Sequence, residues 1–467
     1  MESHAIDLAN LAVELAVKLG ASYADARVEA CETEQVAMKN GDWELPLQSS
    51  SIGIGIRVIA NGGEAFASTT KLARSEIKSL VKRAVQRARL IGEKRKEKIE
   101  LSEEKSKKAR WRAVGKELTI DELMDFLKGI DGNLKEVKLA MRFLELTHTK
   151  QEKLFVNSEG SEIRSEVERY HLFYNLLARL AGKCEQRYFY LGCSGGFRWV
   201  KRWNASEKIA REATLLQSTL HAKKAKAGKY DVILSPELVG IIVHECVGHP
   251  FEADRILGRE AAQAGKSYAS VELLGKRIGS VEVSVVDDPT IKGSYGFYLY
   301  DDEGVKARKR TLIERGVVKE FLQNRKTAFA FNTKSNAAAR ASSYAREPIV
   351  RMANTFILPG SYTFDELIED VKRGIFINSF TEWNIDDKRV NQKYVGCEAY
   401  LIENGEIKGL VRRPVIELTT FTFLSSIDAC SRDLQFVAGT CGKGEPMQGI
   451  PVFMGGPYIR LRNVVVK

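Results

Sequence analysis

Ile52-Gly53-Ile54-Gly55-Ile56-Arg57-Val58-Ile59-Ala60-Asn61-Gly62-Gly63-Glu64-Ala65-Phe66-Ala67 is the stretch on which the fold class turns. Ile52, Ile54, Ile56 and Val58 recur at every second position, the period at which strand side chains share one face. Asn61-Gly62-Gly63 supplies residues that tolerate a tight turn, and the chain resumes as Glu64-Ala65-Phe66-Ala67, so the stretch reads as a β-hairpin. Upstream, Leu8, Leu11, Ala12, Leu15 and Leu19 fall at helical spacing and Gly20 supplies the stop. Downstream, Ile77, Leu80, Val81, Ala84, Ala88 and Ile91 mark a second amphipathic helix. A hairpin set between helices is not the regular strand–helix alternation of a doubly wound fold.

Gly92 to Lys108 is almost wholly charged, with lysines and glutamates interleaved. A nucleic-acid arm would show one sign and interspersed aromatics, so the segment reads as a solvated helix end or linker, a surface connector inside the N-terminal half. A further helix (Ile120, Leu123, Met124, Leu127) and strand patterns around Phe155-Val156-Asn157 and Tyr188-Phe189-Tyr190 follow. The small, basic run from His221 to Lys229 precedes a β-rich run starting at Tyr230. The expectation is an α+β protein: an N-terminal α/β region over residues 1–225, with the charged connector near 92–108, then a β-rich domain over 226–467 built on a large mixed or antiparallel sheet.

The chain has 467 residues, of which 44% are hydrophobic and 28% charged, which excludes disordered and collagen-like classes. The net charge of +11 bears on solubility and acidic partners, not on fold. Apolar runs such as Leu238 to Val243 fall far short of the ~20 residues a bilayer span needs, and the opening Met1-Glu2-Ser3-His4 has no secretory pattern. Seven scattered cysteines without a CxxC pair fit a reducing cytoplasm.

The chemistry concentrates in Val239-Gly240-Ile241-Ile242-Val243-His244-Glu245-Cys246-Val247-Gly248-His249-Pro250-Phe251-Glu252-Ala253-Asp254. Ser235-Pro236 before it gives an N-cap and a first-turn proline. Two imidazoles can hold zinc, and a glutamate beside the first can take a proton from a metal-bound water. The histidines are five apart, about 140° apart on a regular helix, so both reach one ion only if the helix widens or ends near Gly248. Gly248 and Pro250 supply that break, glycine by relaxing the backbone and proline by pushing His249 out of the α region. A catalytic zinc needs a third protein ligand, for which Glu252, Asp254 and the cysteines 246, 397, 430 and 441 are candidates. Cys441 lies in a glycine-framed turn, Gly439 to Gly444, whose amides and Lys443 would favour a thiolate.

His244-Glu245-Cys246-Val247-Gly248-His249, continued by Glu252 and Asp254, resembles the metal-binding motif of the TldD/PmbA family. Further matching stretches are Tyr300-Asp301-Asp302-Glu303-Gly304, Ser343-Tyr344-Ala345, Arg351-Met352-Ala353-Asn354-Thr355, Glu398 to Gly405 and Thr440-Cys441-Gly442-Lys443. The likeness covers the C-terminal half nearly end to end. In the N-terminal half it rests on Gly53 to Val58. Cys246, where the family carries a small residue, and an insertion at Glu445-Pro446-Met447 are the departures. The resemblance implies a cytoplasmic zinc (Zn2+) metalloprotease of unfolded or short peptides, with His244, His249 and Cys441 as ligands and Glu245 as catalytic base. It also implies a heterodimer with a homologous PmbA/TldE-type subunit lacking HExxxH, or a homodimer in isolation. Tyr344, Arg351 and Asn354 are candidate donors to the oxyanion. Two readings compete: a non-catalytic modulator associated with nucleic acid or gyrase, and a scaffold in which the metal is structural. Against the first, no helix-turn-helix, zinc-finger or RNP pattern appears, and no membrane role is expected.

Overall fold

A computed structural model describes residues 3–260 and 266–467. The fold is α+β, with helices laid on the faces of large antiparallel and mixed sheets. The opening hairpin forms as the alternation requires: Leu47–Ala60 pairs antiparallel with Gly63–Thr69, and Asn61 (φ 52°) and Gly62 (φ 71°) make the turn. It is one edge of an eight-stranded sheet that continues through Tyr23–Lys39, Met141–Asn157 and Glu162–Leu180. The last of these pairs along different parts of its length with Lys183–Ser194 and, in parallel, with Lys108–Ala113.

Helices Ser3–Lys18 and Arg74–Lys94 seal one part of this sheet, burying Leu8, Ala12, Ile77 and Val81 against Ile54, Ile56 and Val58. The second helix approaches so closely that a Cβ on Gly63 would stand 2.1 Å from the Ala88 carbonyl oxygen. Ile120–Gly132, opened by a Thr119 capping box, and Ala205–His221 cover another part through Leu123, Leu127, Ile209 and Leu216.

The segment read as a solvated helix end or linker is a helix end first and then a strap with fixed partners. The helix carries through Lys94; beyond it the Ile99 amide donates to the Gly62 carbonyl (2.8 Å) and the Ser102 amide to the Arg325 carbonyl (3.0 Å). The Arg325 guanidinium returns two bonds to the Ser102 carbonyl, so the charged strap crosses onto the C-terminal half. Most of its charged side chains face water, while its backbone and Glu104, which accepts from the Ser335 amide at 2.8 Å, have fixed partners. A charge pattern reports only the first of these.

In the C-terminal half, a ten-stranded mixed sheet centred on Ile459–Val466, Gly228–Leu234 and Arg373–Ile377 faces a six-stranded sheet. The six-stranded sheet ends in Asn354–Ile357, Gln448–Gly456 and, at its edge, Gln435–Lys443. Helix Pro236–Val243 lies in the core they share, apolar on its buried faces and polar only at half-buried Glu237, which pairs with Arg187. Among the described residues no helix is long and apolar enough to cross a membrane, which says nothing of β-barrels.

Candidate metal centre

Helix Pro236–Val243 begins where the sequence places it: the Ser235 hydroxyl accepts from the Leu238 amide and Pro236 occupies the first turn. A side chain at Gly240 would stand 2.8 Å from the Gly455 nitrogen, so glycine lets the helix lie flush on the strand Gln448–Gly456. At His244 the helix widens into a π turn, His244–Gly248, closed by the His249 amide donating to the His244 carbonyl at 3.1 Å. A five-residue turn returns His249 to the side of His244, with ring centroids 5.0 Å apart.

The break differs in detail from the expectation. His249 stays in the right-handed helical region (φ −62°, ψ −45°) despite Pro250, because the turn widens instead of ending. Gly248 has no left-handed backbone; it is needed because a Cβ there would fall 1.9 Å from Met352 Sδ.

Cys441 arrives from another element. It sits on the strand Gln435–Lys443, paired with Ile450, and not in a turn; the turn follows at 444–447. Its Sγ lies 3.3 Å from His244 Nε2 and 3.3 Å from His249 Nε2, all three side chains being buried. Burial pushes the thiol up, yet the two imidazoles and Arg351 outweigh it and hold Cys441 well below its ordinary value. Lys443 does not reach the thiol. Its ammonium is spent on Asp254 (2.6 Å), Glu252 (3.2 Å), Glu260 (3.4 Å) and the Val350 carbonyl (2.8 Å).

Glu252 orients His249: its Oε2 lies 3.0 Å from Nδ1, which leaves Nε2 facing the sulfur. Burial would raise the Glu252 carboxyl, but Lys443 and His249 hold it far below the usual range. Asp254 is raised, by burial above all, and its Oδ1 accepts from Lys443 at 2.6 Å.

Whether this group fits a cation is answered by its own electrostatics. Burial draws His249 down, but Cys441 and Glu252 overcome it and lift the imidazole to about 9, so the cluster demands a positive charge. Two nitrogens and one thiolate converging in a buried site form a donor set that zinc takes readily.

Glu245 projects from the same π turn into a cavity of about 620 Å³, together with His244, His249 and Cys441. Its carboxylate is ion-paired with Arg389, which sequence reasoning missed. Arg389 sits in the loop between strands Phe380–Ile385 and Asn391–Gly396, at φ 61°. Asp386-Asp387-Lys388-Arg389 reads in sequence only as a polar turn, so no local signal marked it.

The three proposed oxyanion donors lie elsewhere. Arg351 is fully buried and clamps the hairpin that carries Cys441, donating to the backbone carbonyls of Cys441 and Gln448. Asn354 is spent on the Asp288 carbonyl, the Ser294 hydroxyl and the Phe453 amide. Tyr344 lies over Gly53 of the N-terminal sheet, where a Cβ would stand 2.2 Å from its ring.

Two sheet edges border the cavity. Gln435–Lys443 is the terminal strand of the six-stranded sheet and Phe380–Ile385 that of the ten-stranded sheet. Tyr188, Tyr190, Phe380 and Trp383 add an aromatic wall.

Residues 227–467 match the family model of the PmbA/TldA metallopeptidase C-terminal domain, residues 24–88 its domain 1 and residues 115–220 its central domain. The chain belongs to the TldD/PmbA metallopeptidase family. A metalloprotease of Methanocaldococcus jannaschii is 32% identical over 453 residues, spanning 96% of this chain and 97% of its own. A zinc metalloprotease TldD homolog of Saccharolobus solfataricus is 28% identical over 97% of this chain and 98% of its own. Among solved structures, one from Thermotoga maritima, described as a candidate modulator of a DNA gyrase, superposes with TM-score 0.79 at 19% identity, covering 99% of this chain and 100% of that one. TldE from Thermococcus kodakarensis gives 0.75 at 17%, covering 99% and 100%. At these identities the two structures speak for the shared fold alone.

Proposed function

We propose that this metalloprotease hydrolyses peptide bonds in unfolded or short peptides, with zinc held by His244, His249 and Cys441 and with Glu245 as the catalytic base. The observation that carries the reading is the convergence of two imidazoles and a thiolate, with a carboxylate beside them, on a cavity bordered by two sheet edges. Zinc, when bound, supplies Lewis acidity towards a water and the scissile carbonyl. Glu245 takes the proton of the attacking water and returns it to the leaving amine. Arg389, on the same cavity wall, keeps that carboxylate in place and is the group suited to stabilise the oxyanion. Glu252 fixes the His249 ring, and Arg351 fixes the hairpin that presents Cys441.

A peptide added as a strand at the edge Gln435–Lys443 would be held through its backbone, so binding would tolerate many sequences. The need for an extended backbone also restricts substrates to chains that are unfolded or short. The proposal extends to a TldD-type, HExxxH-bearing subunit in the cytoplasm that pairs with a TldE-type homologue, and to a division of the chain near residue 225. A non-catalytic gyrase modulator is the alternative.

Glu245→Gln tests the assignment. The variant should bind zinc as the parent does and lose cleavage of a denatured protein substrate, alone and after mixing with a TldE-type homologue. Parental turnover by the variant, with contaminating protease excluded, would refute it.

A further inference from the structure

A second cavity, of about 210 Å³, lies between the N-terminal sheet and the C-terminal half, apart from the metal centre. Its floor is one face of the strands Met141–Asn157 and Glu162–Leu180; its roof includes Tyr298 and Arg340. Four cations line it, Arg27, Lys153, Arg169 and Arg340, against two carboxylates, Asp301 and Asp302.

Both carboxylates are already engaged. Asp301 accepts from the amides of Glu303 (3.0 Å), Val305 (2.9 Å) and Ala339 (3.1 Å). Asp302 pairs with Lys153 at 3.1 Å and accepts from the Ala341 amide at 2.8 Å. Arg27 gives its Nη2 to the Ser343 and Arg346 carbonyls and stands 3.8 Å from the same Asp302.

Arg169 and Arg340 differ from the rest: among the described residues neither has a carboxylate within ion-pair distance. Arg169 donates only to neutral oxygens, of Tyr295 (3.2 Å), Gln151 (3.2 Å) and Phe297 (3.4 Å). Arg340, 7% exposed, has one acceptor, the Met352 carbonyl at 2.7 Å, and otherwise lies over the Tyr298 ring. Burial draws the Arg340 guanidinium down to about 10, and Arg169 and Arg351 push the same way. Two guanidinium charges beside one cavity without an ion partner are costly unless an anion enters, and a planar fork is matched best by an oxyanion.

We infer that this cavity is an anion site in which Arg340 and Arg169 bind a small carboxylate. Its wall at Gly449–Pro451 belongs to the hairpin that carries Cys441, so the carboxylate is either the C-terminus of a peptide lying along that hairpin or a free organic acid.

Calorimetric titration of the full chain, zinc-loaded and metal-stripped, with acetate, trialanine and trialanine amide tests this. Acetate and trialanine should bind at millimolar concentration or below with or without metal, and the amide should bind at least about tenfold more weakly than the free acid. Arg340→Gln and Arg169→Gln should each weaken acetate about tenfold or more, and Arg340→Lys, which keeps the charge and the packing volume, by less. Trialanine binding more tightly than acetate assigns the chain end; equal binding assigns a free acid. Absence of acetate and trialanine binding to the parent chain would overturn the inference. So would binding that vanishes when metal is removed, or binding unchanged by the arginine substitutions.

Discussion

Glu252→Gln keeps the side chain's shape and removes its charge, and the structure fixes how much that should matter. The carboxylate is fully buried and meets His249 Nδ1 at 3.0 Å, Lys443 at 3.2 Å, Arg255 at 3.8 Å and Arg351 at 3.9 Å. An amide oxygen still accepts from Nδ1, so the ring keeps its orientation. A charge-assisted bond of about 1.5–3 kcal/mol becomes a neutral one of about 0.5–1.5 kcal/mol. The difference, about 1–2 kcal/mol, should weaken zinc about 5- to 30-fold, within the range seen for such supporting partners. Lys443 keeps Asp254 at 2.6 Å and Glu260 at 3.4 Å, so no lone ammonium is left behind. The metal-free chain should therefore lose about 1–2 kcal/mol, less than the about 3–5 kcal/mol of orphaning a buried charge. Zinc affinity comes from competition with a chromophoric chelator, and stability from denaturant unfolding of the stripped chain. Zinc affinity unchanged within a factor of about two would refute the idea that Glu252 acts on the metal through His249.

Two further outcomes follow from the same structure. Gly248→Ala must displace Met352 Sδ, which a Cβ would approach to 1.9 Å, so denaturant unfolding should show a loss of about 1–3 kcal/mol; an unchanged midpoint would contradict the close approach. At Glu212, burial raises the carboxyl, but Arg187 and Lys208 outweigh it and bring it down from an ordinary 4.5 to about 2. A depressed folded-state value stabilises above the unfolded value, so the parent's advantage over Glu212→Gln, up to about 3 kcal/mol, should be full above about pH 5 and fade towards pH 2. An advantage independent of pH would contradict it.

The features legible in the sequence were those set by local pattern. The alternation of Ile52 to Val58 and the Asn61-Gly62-Gly63 turn specify a hairpin because side-chain period and positive φ are local properties. Ser235-Pro236 and the five-residue histidine spacing indicate where a helix starts and that it widens or ends near Gly248; the structure shows that it widens, as a π turn, with His249 still helical. Features set by tertiary contact were not legible. Lys443 lies two positions from Cys441 on the same face of the strand, yet the acids Glu252, Asp254 and Glu260 hold its ammonium. Arg389 reaches Glu245 from a loop 144 positions on, and Arg351 and Asn354 are consumed by backbone and buried polar partners that no motif announces.

The central claim, that His244, His249 and Cys441 close on one cation, is tested most directly by zinc-edge X-ray absorption on the zinc-loaded chain. The account predicts one sulfur at about 2.3 Å and two imidazole nitrogens at about 2.0–2.1 Å, the sulfur disappearing in Cys441→Ser. A first shell of oxygen and nitrogen alone in the parent chain, or a sulfur that persists in Cys441→Ser, would contradict it.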